Sequence, residues 1–283
     1  MKKIAVCLLV FLLTLPVLGA RAEERRSLPA RYLTDCPEHG EIYSLLFQGE
    51  RELLVWTPYG YDAGEKYEVV FLMHGDLDDI NGWFRQVHAV AGGKTTGRNI
   101  LDWMAYEQAC RPFLAVAIDN NENTYGGHIL EDLPKALIFV AGRFSTFAAE
   151  GSAEAVIEAR EHFTVGGLSR GCIYAYSVLE NEPEYAANYL CLSCGGRRDA
   201  LEAALKNSPY GLSRYFAGIG ARDETFYSRT KWTYEGVKPF AGQAEMAVYA
   251  YGHDWSTWFN GLYDGLRFLL PLAEEAGPEG EIF

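Results

Sequence analysis

The residues best equipped for chemistry lie in the stretch HFTVGGLSRG, where Ser169 stands among Gly166, Gly167 and Gly171. A serine hydroxyl is a weak nucleophile near neutral pH, so it needs a base, and the base needs an orienting carboxylate. Gly167-Leu-Ser169-Arg-Gly171 has the G-x-S-x-G spacing of a nucleophile carried on a sharp turn from strand to helix. Glycines flank such a turn because side chains there would collide with the neighbouring strand and helix. The plainer alternative is a glycine-rich strand-to-helix loop with a serine capping the helix. Downstream, RYFAGIGARD ends in Asp223 and AEMAVYAYGHD ends in His253, so an acid and then a histidine each follow an apolar run. Of the six histidines, His253 alone is both downstream of the serine and directly beyond such a run. The order predicts acyl transfer with Ser169 as nucleophile, His253 as base and Asp223 as the acid that orients it. Glu224 and Asp254 compete with Asp223, and Asp254 reads better as the N-cap of the final helix. The developing oxyanion needs two backbone donors, one from Arg170 and one from Gly75 or Asp76 in the stretch LMHGDLDD. His74 reads as a structural residue that ties down that loop.

These residues need a scaffold that gathers loops at one edge. EIYSLLF and RELLVWTP read as a hairpin, and YEVVFLMHG, FLAVAID, HFTVGG, NYLCLSCGG, RYFAGIGARD and AEMAVYAYGHD as further strands. The middle runs are almost continuously apolar, as strands buried on both faces must be. NILDWMAYEQA and DWSTWFNGLYDGLRFLL carry apolar residues at helical spacing, the second closed by Pro271. The pattern predicts an α/β fold: a mostly parallel central sheet with an antiparallel N-terminal edge and helices on both faces. Ligands of such sheets sit beyond the carboxyl ends of the strands. Asn120 and Asn121 follow a strand there and are candidate substrate contacts. So are Trp83 and Trp255, from a group of aromatics in predicted loops that also includes Tyr125, Trp232 and Tyr234.

Lys2 and Lys3 before the apolar run Ile4 to Leu18, then Ala20-Arg21-Ala22, predict a signal peptide over residues 1–22. Residues 23–283 are expected to form a single domain, secreted to the medium or periplasm, with no stable membrane insertion. A formal charge of −13 disfavours nucleic acid and anionic surfaces as partners. Five cysteines follow the signal: Cys36, Cys110, Cys172, Cys191 and Cys194, an odd number, so at least one is unpaired within the chain. Cys191-Leu-Ser-Cys194 has redox spacing, but it ends a strand instead of opening a helix, and two small buried thiols are expected there. Without an H-E-x-x-H or a second C-x-x-C, no metal or other cofactor is expected.

Four segments together, FLMHGDLDDINGWF, HFTVGGLSRG, GIGARDETF and YGHDWSTWFNGLYDGLRFLLP, resemble the esterase D-like group of α/β hydrolases. Within it the chain is most similar to carbohydrate esterase family 1, the feruloyl and acetylxylan esterases. The resemblance runs from about Cys36 to Pro271, and G-H-D-W-x-x-W is its most specific element. It implies the α/β-hydrolase fold, Ser169, Asp223 and His253 as the triad, and a polysaccharide or oligosaccharide ester as partner. Two departures stand out. Asp76-Leu77-Asp78-Asp79 follows His74-Gly75 where relatives have more glycines, and Arg170 stands where a methionine is common; its side chain is expected to pair with a surface acid. Other uses of the scaffold are an acyltransferase, an esterase acting on lipid or siderophore, and a non-catalytic glycan-binding domain.

Overall fold

The computed structural model describes residue 25 and residues 27–47, 51–121 and 128–272. The expected signal peptide, Tyr125 and the polar tail lie outside the described residues. Strands β1 (Glu41–Phe47) and β2 (Arg51–Thr57) pair antiparallel from Glu41 opposite Thr57 to Phe47 opposite Arg51. β2 then pairs antiparallel with β6 (Phe113–Ile118). From β6 onward, β3 (Glu68–Met73), β7 (Phe163–Leu168), β8 (Asn188–Leu192), β9 (Leu212–Gly220) and β10 (Ala241–Tyr249) run parallel. The eight strands follow the order β1-β2-β6-β3-β7-β8-β9-β10. The sheet is therefore mostly parallel with an antiparallel N-terminal edge, as the apolar pattern predicts. Two three-residue strands, β4 (His88–Val90) and β5 (Gly93–Thr95), form a separate small hairpin that the sequence did not announce.

The continuous apolar runs arise because both faces of the sheet are covered. In β3, Val69, Phe71 and Met73 enter one core while Val70 and Leu72 enter the other. The first core is closed by α2 (Ile129–Ala141), α3 (Ala153–Glu158), α4 (Arg170–Asn181), α5 (Arg198–Asn207) and the end of α6 (Tyr227–Val237). The second is closed by α1 (Gly97–Tyr106) and α7 (Trp255–Leu269). α7 starts where Asp254 Oδ1 accepts from the N–H groups of Ser256 and Thr257 at 2.9 and 3.2 Å, the capping role expected of it. Its stripe of Phe259, Leu262, Leu266 and Leu269 is fully buried, each side chain worth roughly 2 kcal/mol.

The cysteines correct one expectation. Cys191 is a buried free thiol, pushed up to about 12 by burial, but Cys194 forms a disulfide with Cys172 on α4. Ser193, at φ 53°, turns the chain between them, and the Cα atoms of Cys172 and Cys194 come within 6.0 Å. Cys36 and Cys110 are buried and free.

Candidate active site

Ser169 joins β7 to α4 with φ 51° and ψ −116°, a backbone conformation that L-residues seldom adopt. Two glycines make it possible. A Cβ on Gly167 would lie 2.7 Å from the Met73 carbonyl oxygen, and one on Gly171 would lie 2.3 Å from the same atom. The turn thus packs backbone against backbone of β3, and the serine N–H donates to Leu192 O at 2.9 Å. The hydroxyl is left at the head of α4, at the carboxyl end of the parallel strands.

Two later loops meet it. His253, beyond β10, places Nε2 3.0 Å from Ser169 Oγ and Nδ1 2.7 Å from Asp223 Oδ2. Asp223, beyond β9, is 1 % exposed, and its other oxygen accepts from the Phe226 N–H at 3.0 Å. With Nδ1–H donating to the carboxylate, Nε2 is the acceptor for the serine proton. Phe226 stacks on the imidazole at 5.2 Å between centroids and Trp258 meets it edge-on at 5.1 Å. Glu224 is exposed and Asp254 is engaged in the helix cap, so Asp223 is the acid that reaches the ring.

The candidate oxyanion donors flank the serine. Arg170 follows it at the first position of α4. A Cβ on Gly75 would fall 3.5 Å from Ser169 Cβ, so the backbone there runs directly against the serine. Gly75, Asp76, Leu77, Ser169, His253 and Trp255 line one depression of about 560 Å³. The Arg170 guanidinium pairs with Asp76 Oδ2 at 2.7 Å, a surface acid as expected. His74 is structural: Nδ1–H donates to Gly75 O at 2.8 Å, and Nε2 lies 3.2 Å from both the Asn120 N–H nitrogen and Asp119 Oδ1.

Three expected substrate contacts have other work. Asn120 is 1 % exposed; its Oδ1 accepts from the His74 N–H at 2.8 Å and its Nδ2 donates to His74 O at 3.0 Å, which uses both ends of the amide. Asn121 donates its N–H to Asp119 at 2.9 Å and its side-chain amide to Asp78 O at 3.2 Å, bracing the rim from outside the depression. Trp83 is 1 % exposed, donates Nε1–H to Met73 O at 3.1 Å and packs edge-on against Trp255, leaving no face for a ligand. Trp232 and Tyr234 lie on α6, not in a loop, and Tyr234 stacks on Tyr215. Trp255 does line the depression, stacked on His88 at 3.7 Å. His88, Gln86 and Trp258 also line it and were not singled out from sequence. His88 donates Nε2–H to Gly82 O at 2.7 Å, and burial holds its pKa below the usual imidazole value.

A second depression, of about 420 Å³, is lined by Tyr59, Tyr67, Tyr106, Arg111 and Phe113 at the other end of β3 and β6, and it contains no histidine. Among the described residues no group of three or more His, Cys, Asp or Glu is placed to hold a metal ion, and no helix is long and apolar enough to cross a membrane.

No known family's sequence profile matches the chain. It is 29 % identical over 177 residues, 61 % of its length, to endo-1,4-β-xylanase Y of Acetivibrio thermocellus, and it spans about 16 % of the length of that curated relative. Among solved structures it superposes with a TM-score of 0.77 on a serine-to-alanine mutant of the feruloyl esterase module from Clostridium thermocellum complexed with sinapinate. The two are 23 % identical over 87 % of this chain and 94 % of that one. A carbohydrate esterase family 1 ferulic acid esterase from Anaeromyces mucronatus, in complex with ferulic acid, gives a TM-score of 0.64 at 15 % identity, covering 87 % and 97 % of the two chains. The chain has the α/β-hydrolase fold, in the form these feruloyl esterases share.

Proposed function

We propose that this chain is a secreted serine carboxylesterase that removes acyl groups from esters of plant cell-wall xylan or its oligosaccharides. The observation that carries the reading is the Asp223–His253–Ser169 relay of 2.7 and 3.0 Å, set on a strained turn at the carboxyl edge of the sheet. Relatives that are a xylanase and feruloyl esterases support the substrate class. Compositional cues for export at residues 1–22 support the destination.

In this reading His253 Nε2 takes the Ser169 proton as the serine oxygen bonds to the ester carbonyl carbon. Asp223 holds the ring's tautomer and stabilises the imidazolium that forms. The N–H of Arg170 and one from Gly75 or Asp76 receive the negative carbonyl oxygen. As the tetrahedral intermediate collapses, the imidazolium protonates the leaving alcohol oxygen and an acyl-serine remains. Water, deprotonated by the same nitrogen, then adds to the acyl carbon; collapse returns the proton to Ser169 and frees the carboxylic acid.

Ser169→Ala is expected to fold normally and to lose roughly 10⁴-fold or more in turnover of a simple activated ester. Undiminished turnover, or failure of a serine-directed phosphonate to label Ser169 in the native chain, would refute the assignment. Parallel assays on methyl ferulate, acetylated xylan and a short-chain aryl ester test the substrate class.

A further inference from the structure

Arg170 and Asp76 meet through their side chains while their backbones flank the serine. Arg170 Nη2 lies 2.7 Å from Asp76 Oδ2, a contact between residues 94 positions apart in the chain. Both belong to the candidate oxyanion donors, Arg170 on one side and the Gly75–Asp76 segment on the other. Both are also points at which the sequence departs from the esterases it resembles, so a single contact joins the two departures.

The two donors are held in different ways. The Arg170 N–H opens α4, where no earlier turn receives it, and the helix start is packed against β3 through Gly171. Residues 75–79 lie in no helix or strand, and Leu77 among them is fully exposed, so it gives the loop no apolar anchor. His74 holds the loop at Gly75 O, at 2.8 Å, and Asn121 holds it at Asp78 O, at 3.2 Å. Between these two points, Arg170 reaches Asp76. Among the described residues nothing accepts from the N–H of Gly75 or of Asp76. A donor kept free for an oxyanion cannot be fixed by a hydrogen bond of its own, so its place must be set through other atoms. The Asp76 carboxylate supplies such a hold, and the residue it reaches carries the opposite donor.

We propose that the Arg170–Asp76 ion pair is a positioning device, tying the loop of one oxyanion donor to the helix that carries the other so that the two N–H groups keep one separation during acyl transfer. The inference rests on the esterase reading above and adds how that site is held. An oxyanion exists only beyond the ground state, so loosening the tie lowers kcat and leaves KM in place. Arg170→Met, Asp76→Asn and the double variant close a cycle on a short-chain aryl ester. All three alter exposed side chains and are expected to melt within a few degrees of the parent. Each single change is expected to lower kcat about fivefold with KM within about twofold, and the double variant to lose about fivefold again, not their product. Arg170→Lys keeps the charge and is expected to return kcat to within about twofold of the parent. Because the pair is exposed, the parent's kcat should fall about threefold between about 0.01 M and about 1 M NaCl, while that of Arg170→Met stays level. Losses that multiply in the double variant, a change confined to KM, or an Asp76→Asn chain faster than the parent overturns the positioning role. Phosphonate labelling of Ser169 still upholds the esterase in each of those cases. A parent chain that neither turns over the ester nor takes the label overturns both.

Discussion

The turn at Ser169 and the loop from Asp76 to Asp79 border one depression and are held by opposite means. The turn is fixed by what has no side chain: Gly167 and Gly171 press their backbones against the Met73 carbonyl, inside the sheet. The loop is fixed by side chains: Arg170 grips Asp76, Asn121 grips Asp78 O, and Asn120 and His74 clamp the strand end from which it springs. Sterics of buried backbone leave no room for variation, whereas hydrogen bonds at a rim exchange readily. The geometry of Ser169 is therefore insulated from changes in the rim of the depression.

The sharpest break of that contrast is Gly171→Ala. Its Cβ would stand 2.3 Å from a backbone oxygen that cannot swing away, so a loss of about 3 kcal/mol or more is expected in urea unfolding. A variant as stable as the parent would show that the elbow is not sterically locked. On the rim side, Asn120→Ala leaves the buried His74 N–H and C=O without partners and is expected to cost about 2 kcal/mol. Turnover should fall several-fold on every ester alike; a selective loss on one ester would return Asn120 to the substrate contacts.

The smallest effect concerns Asp119. Burial raises its pKa, but the contact with the His74 imidazole and the hydrogen bond from the Asn121 N–H outweigh it and hold the carboxyl below its usual range. Because the folded value is depressed, the stabilisation is complete above the unfolded pKa and is lost as pH falls through the folded one. Asp119→Asn should thus trail the parent by roughly 1 kcal/mol or less at about pH 6, with the gap closing toward about pH 3. A gap that does not change with pH would mean the charge of Asp119 does not brace the loop.

The sheet and the convergence of Ser169, Asp223 and His253 were legible because each rests on local signals: apolar runs of strand length, glycines at fixed offsets, and polar residues directly beyond the runs. The same rule misled at Asn120, since position after a strand does not say whether an amide faces the solvent or closes on the neighbouring strand's end. Trp83 failed for a related reason, its indole N–H being spent on Met73 O. His88 escaped notice because strands of three residues leave no periodicity to read. The Cys172–Cys194 pairing depends on how α4 lies on β8, a tertiary relation that spacing along the chain does not encode.

One feature of the topology has a consequence in time. The hydroxyl of Ser169 and the imidazole that faces it are separated by 84 residues, and the imidazole hangs from β10, the outermost strand at its edge of the sheet. A chain made from its amino end delivers the hydroxyl long before the imidazole that faces it. On the proposed mechanism, reactivity arrives only when the last strand docks, and any nascent or shortened form that stops short of it carries an inert serine.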